Sequence, residues 1–275
     1  MNRQHQVEKA NAFRRMHEGS RILVLPNAWD VASARVFEEA GFPAVATTSA
    51  GVAATLGYPD GELVGRDAMA EVVARIARAV SVPVTADMEA GYDSVARTVQ
   101  AVVEAGAIGM NLEDSTAEGT LLDESVYVER LRAAREAATH AGVPIVINAR
   151  TDVFLLGIGD ESSRLDHAIR RANAYRSAGA DCAFIPGVRD AKTIASLVKG
   201  VSGPINVLAV PGSPPIAELE RLGVARVSIG SGAMRATMTL TRKIAEELRG
   251  PGTYELFTRD VITHAQVNQL MARAE

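Results

Sequence analysis

Residues 82–114 read VPVTADMEAGYDSVARTVQAVVEAGAIGMNLED, and this stretch decides the fold. It opens with a short apolar run (82–87) that has no polar alternation. Such a run fits a strand buried on both faces of a parallel sheet. Residues 93–105 then carry a helix-like pattern. That pattern stops at Gly106, where glycine accepts the left-handed conformation that closes a helix. A second apolar run (109–114) follows at once. The unit is strand, helix, strand.

The same unit recurs in both directions along the chain. Strand candidates lie at 22–27, 44–49, 144–150, 182–187, 205–209 and 226–230, and helix candidates at 29–40, 66–80, 123–140 and 161–178. Several helices stop at glycine, in EEAGFP, HAGVP, RSAGAD and RLGVAR. Eight repeats without a linker predict an α/β fold, a (β/α)8 TIM-type barrel forming one domain over residues 1–275. An open Rossmann-type sheet is the alternative, but no GxGxxG follows an early strand. Residues 1–18 read as an extra helix across one barrel end. Residues 251–275 begin PGTYE and read as a C-terminal helical extension, of a kind that packs on a neighbour or subunit.

The 275 residues are 47% hydrophobic, 23% charged and 4% aromatic, with a net charge of −4. The apolar fraction excludes a disordered chain. No basic stripe suggests a nucleic-acid partner. No apolar run approaches the ~20 residues of a membrane span, and the N-terminus lacks the apolar core of a signal peptide. The single cysteine, Cys182, excludes an intrachain disulfide. A cytoplasmic protein without a membrane partner is expected.

In such a barrel the chemistry sits where strands end. Three strand ends are rich in acids and amides: Asp87-Met88-Glu89, Asn111-Leu112-Glu113-Asp114 and Asn148-Ala149-Arg150-Thr151-Asp152. Period-two alternation puts Asp87 with Glu89, Asn111 with Glu113, and Asn148 with Arg150 and Asp152. Several carboxylates at one mouth repel each other unless a cation lies between them. Oxygen donors point to Mg2+, with Mn2+ as the other option. The competing reading is that these acids cap the helices that follow. His5, His17, His140, His167 and His264 all fall on predicted helices and form no zinc motif. The four lysines (Lys9, Lys192, Lys199, Lys243) also fall on helices, which disfavours a Schiff-base enzyme. Cys182 opens the sixth strand candidate and reads as a buried small hydrophobe. Ser49-Ala50-Gly51 offers small residues and free amides that can hold a carboxylate. Residues 56–61 read as a loop over the mouth. Gly230-Ser231-Gly232 reads as a packing turn.

PNAWD (26–30), TTSAG (47–51), LGYPDGE (56–62), VTADMEAGY (84–92), NLEDS (111–115) and NARTD (148–152) occur in this order. Together they resemble the isocitrate lyase/phosphoenolpyruvate mutase superfamily across essentially the whole barrel. The resemblance implies that Asp87 contacts Mg2+ directly and that Glu89 and Glu113 hold it through water. It implies that Ser49, Ala50 and Gly51 bind the 2-oxo-carboxylate end of a substrate, with Trp29 as one wall. Asp60 resembles the acid beside the metal shell, and Arg150 the arginine that stabilises the reacting oxygens. The resemblance also implies a homo-oligomer, dimer or tetramer, with C-terminal helices exchanged between subunits.

The chain departs from that pattern after the fourth strand candidate. Residues 115–125 hold no cysteine, lysine or histidine. The superfamily's lyases carry a cysteine there as general acid, and its phosphonate enzymes carry a lysine and an asparagine. The expectation is a Mg-dependent carbon–carbon lyase or decarboxylase acting on a small 2-oxo or 2-hydroxy di- or tricarboxylate. Oxaloacetate and 2-methylisocitrate-like acids are the candidates, through an enolate of pyruvate type. Water or Tyr58 would then have to serve as acid. The alternatives are a phosphonopyruvate-type mutase or hydrolase, or a 2-oxo-acid (2-oxoglutarate-like) binding protein with little turnover.

Overall fold

The structure, a computed structural model, describes residues 2–272. Among these residues nine parallel strands form one sheet. They are β1 (Leu23–Leu25), β2 (Asn27–Ala28), β3 (Val45–Thr47), β4 (Val84–Asp87), β5 (Gly109–Glu113), β6 (Val146–Arg150), β7 (Cys182–Phe184), β8 (Ile205–Leu208) and β9 (Arg226–Ser228). β1 and β2 are two halves of one stave, interrupted at Pro26, which has no N–H to give to a ladder. β1 pairs with β9 and β2 pairs with β3, so this broken stave closes an eight-stave barrel. The Pro26 carbonyl still accepts from Ala46 N at 2.9 Å. Seven of the eight strand candidates contain their stave, and the first, 22–27, stops one residue short of Ala28, where β2 ends.

Helices α1 (Arg3–Arg15), α2 (Val31–Glu39), α3 (Ser49–Thr55), α4 (Arg66–Ala79), α5 (Val95–Glu104), α6 (Glu124–His140), α7 (Glu161–Ser177), α8 (Ala191–Gly200), α9 (Ile216–Arg221), α10 (Gly232–Arg249) and α11 (His264–Met271) complete the order. Asp30 and Ser94 cap α2 and α5 by accepting backbone N–H groups. The helix α1 lies across the end where strands begin. Its Phe13 is fully buried. Its Gln6 Nε2 donates to the Val103 and Ala107 carbonyls, and Arg14 Nε pairs with Asp181 at 3.0 Å. His17 lies in the turn beyond α1, outside the helix expected for it. The opposite end, where strands finish, is open to loops.

The C-terminal segment corrects the expected continuous helix. One 3-10 turn (Glu255–Phe257) is followed by non-helical residues, and α11 starts only at His264. Thr263 and Gln266 form a reciprocal cap there, which fixes that start. The end of the predicted extension, 273–275, lies outside the described residues. In α10 only Met234 is buried, while Met238, Leu240 and Leu248 are exposed. Among the described residues no helix is long and apolar enough to cross a membrane.

Candidate active site

A cavity of about 220 Å³ opens where the strands finish. Its floor is built on neighbouring strands whose register is set by the ladder. Asp87 lies opposite Asn111, and Asn111 opposite Asn148. Two residues further on, Glu113 lies opposite Arg150, and Arg150 opposite Phe184. Alternation along each strand therefore delivers two tiers of polar groups to one mouth.

Asp87 ends β4 and lines the cavity. Its carboxylate accepts from Ser49 N at 2.9 Å and from Asn111 Nδ2 at 3.3 Å. Asn111 Oδ1 in turn accepts from Asn148 Nδ2 at 2.8 Å and from Arg226 Nη2 at 3.4 Å. These bonds fix the amide so that its N–H₂ faces Asp87. The sequence reading missed Arg226, although an arginine inside an apolar strand run is itself a signal. It is fully buried, and its Nε and Nη1 have no protein partner. Burial lowers its pKa to about 10.

Arg150 ends β6 and also lines the cavity. Its Nε and Nη2 donate to both oxygens of Asp152, at 2.6 and 2.9 Å. Its Nη1 meets Glu113 at 2.5 Å. Burial works against the arginine's charge, but Glu113 and Asp152 outweigh it and hold its pKa above the ordinary value. Burial pushes Glu113 up to about 8, with Arg150 pulling it back and the neighbouring acids adding to the rise. Behind this pair, buried Asp114 accepts from Asp152 N at 2.9 Å, Arg171 Nε at 2.9 Å and Tyr175 OH at 2.6 Å.

Glu89 departs from the face predicted for it. β4 ends at Asp87, and Glu89 sits at φ +51, so the alternation does not continue to it. Its carboxylate accepts from Glu62 N and from Tyr92 OH, the latter at 3.4 Å. Glu62 (φ +60) and Tyr92 (φ +56) share this left-handed backbone. Three non-glycine residues held there together are a local concentration of strain beside the mouth. Burial raises Glu89 to about 7, and Asp87 and Asp60 add to that.

Asp60 lines the cavity from the loop after α3. Burial and then Asp87 raise its pKa, while the Ser49 hydroxyl and Arg150 oppose the rise. Ser49, Ala50 and Gly51 form the first turn of helix α3. Amides in a first turn have no i−4 carbonyl within the helix. Ser49 N is already committed to Asp87, whereas Ala50 lines the cavity. Gly51 lies against Trp29: an added Cβ would come within 2.8 Å of Trp29 Cβ. Trp29 packs against α3 and is not among the cavity-lining residues. Tyr58 is 51% exposed and is also not among them.

The lining includes groups that the strand ends did not announce. Asn27 reaches across the closing seam: its Nδ2 donates to Thr47 O, and its Oδ1 accepts from Ile229 N and Gly230 N. Ser231, read as part of a packing turn, lines the cavity. So do Leu155, Phe184, Pro186 and Leu208. The loop after β5 contributes nothing to the lining. It folds as a small hairpin, with Ser115 bridged to Leu121, Thr116 N donating to Thr120 O, and Leu122 N donating to Asp114 O.

Among the described residues, no three His, Cys, Asp or Glu side chains come close enough to enclose a metal ion. The donor set is nonetheless that of a hard cation held mainly through water. Asp87 and Asp60 face the cavity with the Asn111 amide, and Glu89 and Glu113 lie nearby. All are oxygen donors, and Asp60, Glu89 and Glu113 have pKa values raised by burial first and by neighbouring acids in addition.

The sequence profile of the phosphoenolpyruvate phosphomutase family matches residues 13–249. An oxaloacetate decarboxylase of Rhodopseudomonas palustris is 31% identical, with 92% of each chain covered. A lyase/mutase-type protein of Burkholderia cenocepacia is 37% identical and superposes with a TM-score of 0.91, with 98% of each chain covered. A 2,3-dimethylmalate lyase is 29% identical with a TM-score of 0.84, covering 96% of this chain and 95% of its own. A matching profile over most of the chain, on a barrel of the same shape, places the site in a known lineage: the chain belongs to the phosphoenolpyruvate mutase/isocitrate lyase superfamily.

Proposed function

We propose that this protein is a Mg2+-dependent lyase that breaks a carbon–carbon bond at C3 of a small 2-oxo or 2-hydroxy diacid, oxaloacetate decarboxylation included. The observation that carries this reading is Arg150, held in a planar fork by Asp152 and Glu113 at the mouth that Asp87 also faces. In a 2-oxo acid that loses CO2, the electron pair left on C3 delocalises onto the C2 oxygen; in a 2-hydroxy diacid, where the C2–C3 bond breaks, it delocalises onto the carboxylate attached to C3. A guanidinium fixed before the reaction stabilises that charge without having to reorganise. Asp87, Asp60 and, through water, Glu89 and Glu113 would hold the cation, which supplies positive charge for the substrate's paired oxygens. Ala50 and the first turn of α3 orient the carboxylate end. The relatives named for oxaloacetate and 2,3-dimethylmalate share a four-carbon diacid skeleton, which supports this class.

The loop after β5 supplies no acid to the cavity, which favours decarboxylation or protonation from solvent over a side-chain acid. It also brings no cation for a phosphoryl group, which weakens a phosphonate reading. We further propose a homo-oligomer, supported by the exposed apolar face of α10. Light scattering in solution checks that proposal, and a monomer at micromolar concentration overturns it.

The test of the activity is mass-spectrometric product detection from a panel of 2-oxo and 2-hydroxy acids, with Mg2+ and with EDTA. Pyruvate or glyoxylate should form above the protein-free Mg2+ background, and Asp87→Ala should bring it back to that background while circular dichroism stays native. Full turnover in Asp87→Ala would remove the metal-centred reading. Saturable 2-oxo-acid binding without turnover would make the protein a binder instead.

A further inference from the structure

Arg226 crosses the barrel. It belongs to β9, and its hydrogen-bond partner Asn111 belongs to β5, four staves away in either direction round the ring. Barrel interiors are ordinarily filled by apolar branched side chains. Here a fully buried guanidinium occupies the interior. Its Nη2 donates to Asn111 Oδ1 at 3.4 Å, while Nε and Nη1 have no partner among the described residues. On the α1 side its Cζ stands 6.0 Å from the centre of the Phe13 ring, and His17 meets that ring edge-on. Neither ring supplies a negative charge. Burial lowers the pKa of Arg226 to about 10, which still leaves it a cation at neutral pH. A buried charge without a counter-ion works against folding, and an apolar side chain of similar volume in its place is neutral or stabilising. The barrel gains no stability from this charge, so its use lies at its one hydrogen bond.

That bond joins a chain of hydrogen bonds from β6 to β4. Asn148 Nδ2 donates to Asn111 Oδ1 at 2.8 Å, and Asn111 Nδ2 donates to Asp87 at 3.3 Å. A carboxamide carries both an N–H₂ donor and an oxygen acceptor, so two in series can run in either direction. Asn148 does not choose the direction, because its own Oδ1 has no partner to hold it. Asp87 chooses only while its carboxylate faces the amide, and Asp87 also lines the cavity. A guanidinium has donors and no acceptor. Beside Arg226, Asn111 presents its oxygen, and its N–H₂ is left for Asp87.

Building on the lyase reading, we propose that Arg226 is a positioning residue of the reaction: from the opposite stave it sets the direction of the Asn148–Asn111–Asp87 chain and so holds the Asp87 carboxylate in place whatever the mouth contains. The barrel gives up stability for this fixed geometry, a trade that active sites commonly make.

The test pairs Arg226→Met, which removes donors and charge at similar volume, with Arg226→Lys, which keeps a cation that only donates. Tm is read on EDTA-treated protein, and kinetics on oxaloacetate with Mg2+. Calorimetric binding of oxalate, a planar dianion resembling the enolate, is the readout that needs no turnover. Arg226→Met should have a Tm at or above wild type. Its kcat should fall about tenfold or more, and its oxalate affinity similarly, with KM moving less than about threefold. Arg226→Lys should recover at least about a third of the lost rate on a logarithmic scale. In an Asn111→Ala background, Arg226→Met should cost less than about threefold further, because the two act as one unit. A Tm several degrees below wild type together with lost activity would make Arg226 a structural residue and overturn the inference. An unchanged kcat overturns it, as does a full second penalty in the Asn111→Ala background. If the wild type turns over no acid but binds oxalate, the lyase reading falls and the oxalate affinities decide: weakening in Arg226→Met with recovery in Arg226→Lys supports the positioning role, and equal affinities overturn it. A wild type that neither turns over any acid nor binds oxalate overturns both.

Discussion

At Arg150 the side chain's shape matters more than its charge. Each of its three nitrogens holds one carboxylate oxygen, with Nε and Nη2 on Asp152 and Nη1 on Glu113. Lysine retains the charge but has no planar fork to match two carboxylates. Arg150→Lys should therefore lower kcat about 100-fold or more with little change in the circular dichroism spectrum. Unchanged turnover would remove Arg150 from the chemistry. Gly51 makes a different point. Its φ is ordinary, and what it needs is room, because a Cβ would sit 2.7 Å from Thr48 Cγ2 and 2.8 Å from Trp29 Cβ. Gly51→Ala should push α3 away from Trp29 and raise KM for the 2-oxo acid several-fold. A wild-type KM would show that the first turn of α3 does not hold the substrate. Cys182 is fully buried, and burial raises its thiol to about 12. It is a core residue without a part in the chemistry.

At the scale of elements, the site depends on how β5, β6 and α7 are tied together. Asp114 follows β5, supports Asp152 after β6, and receives Arg171 and Tyr175 from α7. Arg171 Nη2 also donates to Leu122 O, which pins the end of the hairpin loop. Removing the arginine leaves Asp114 as an unpaired buried charge, and such losses cost about 3–5 kcal/mol. Arg171→Met should lower unfolding stability by about 3 kcal/mol in urea titration. It should also lower kcat, because Asp152 loses its support. A variant as stable as wild type would show that Tyr175 and the Asp152 amide hold Asp114 unaided. A similar dependence on tertiary ties explains the C-terminal segment. Its residues have helix-compatible composition, yet the reciprocal cap at Thr263 confines the second helix to His264–Met271.

For the whole molecule, the buried acids set a pH dependence. Glu113 and Glu89 titrate near 4.5 when unfolded but near 8 and 7 when folded. Between those limits the folded chain keeps protons that the unfolded chain has released. Their contribution is complete below about pH 4.5 and is lost as pH rises through 7 and 8. His17 acts in the other direction, because burial lowers it from 6.5 to about 4, but its effect is confined to that lower window. Above pH 6.5 the glutamates therefore dominate. The Tm of EDTA-treated protein should fall from pH 6.5 to 8.5. Added Mg2+ should reduce the slope by favouring the ionised acids, and Glu113→Gln should flatten it. A Tm that stays level or rises over this range in the EDTA-treated wild type would contradict the burial argument.

The barrel was legible in the sequence because its cause is local and repeated. Eight short apolar runs alternating with helix patterns, several of them closed by glycine, admit few arrangements. The strand-end acids were legible for the same reason, since position on a strand fixes which end a residue occupies. The amphipathic pattern of a strand says nothing beyond its last ladder bond, so the turn of Glu89 to φ +51 was not legible. Neither was α3, whose small residues suit a turn as well as a helix. Asn27, Leu155 and Pro186 come to the cavity, and Arg226 to the Asn111 amide, from staves and loops far apart in the chain. Their meeting depends on how the barrel closes, at the stave broken by Pro26, and on how the loops pack over its mouth. Those are long-range packing choices made by the folded molecule, and they decide what the site can hold.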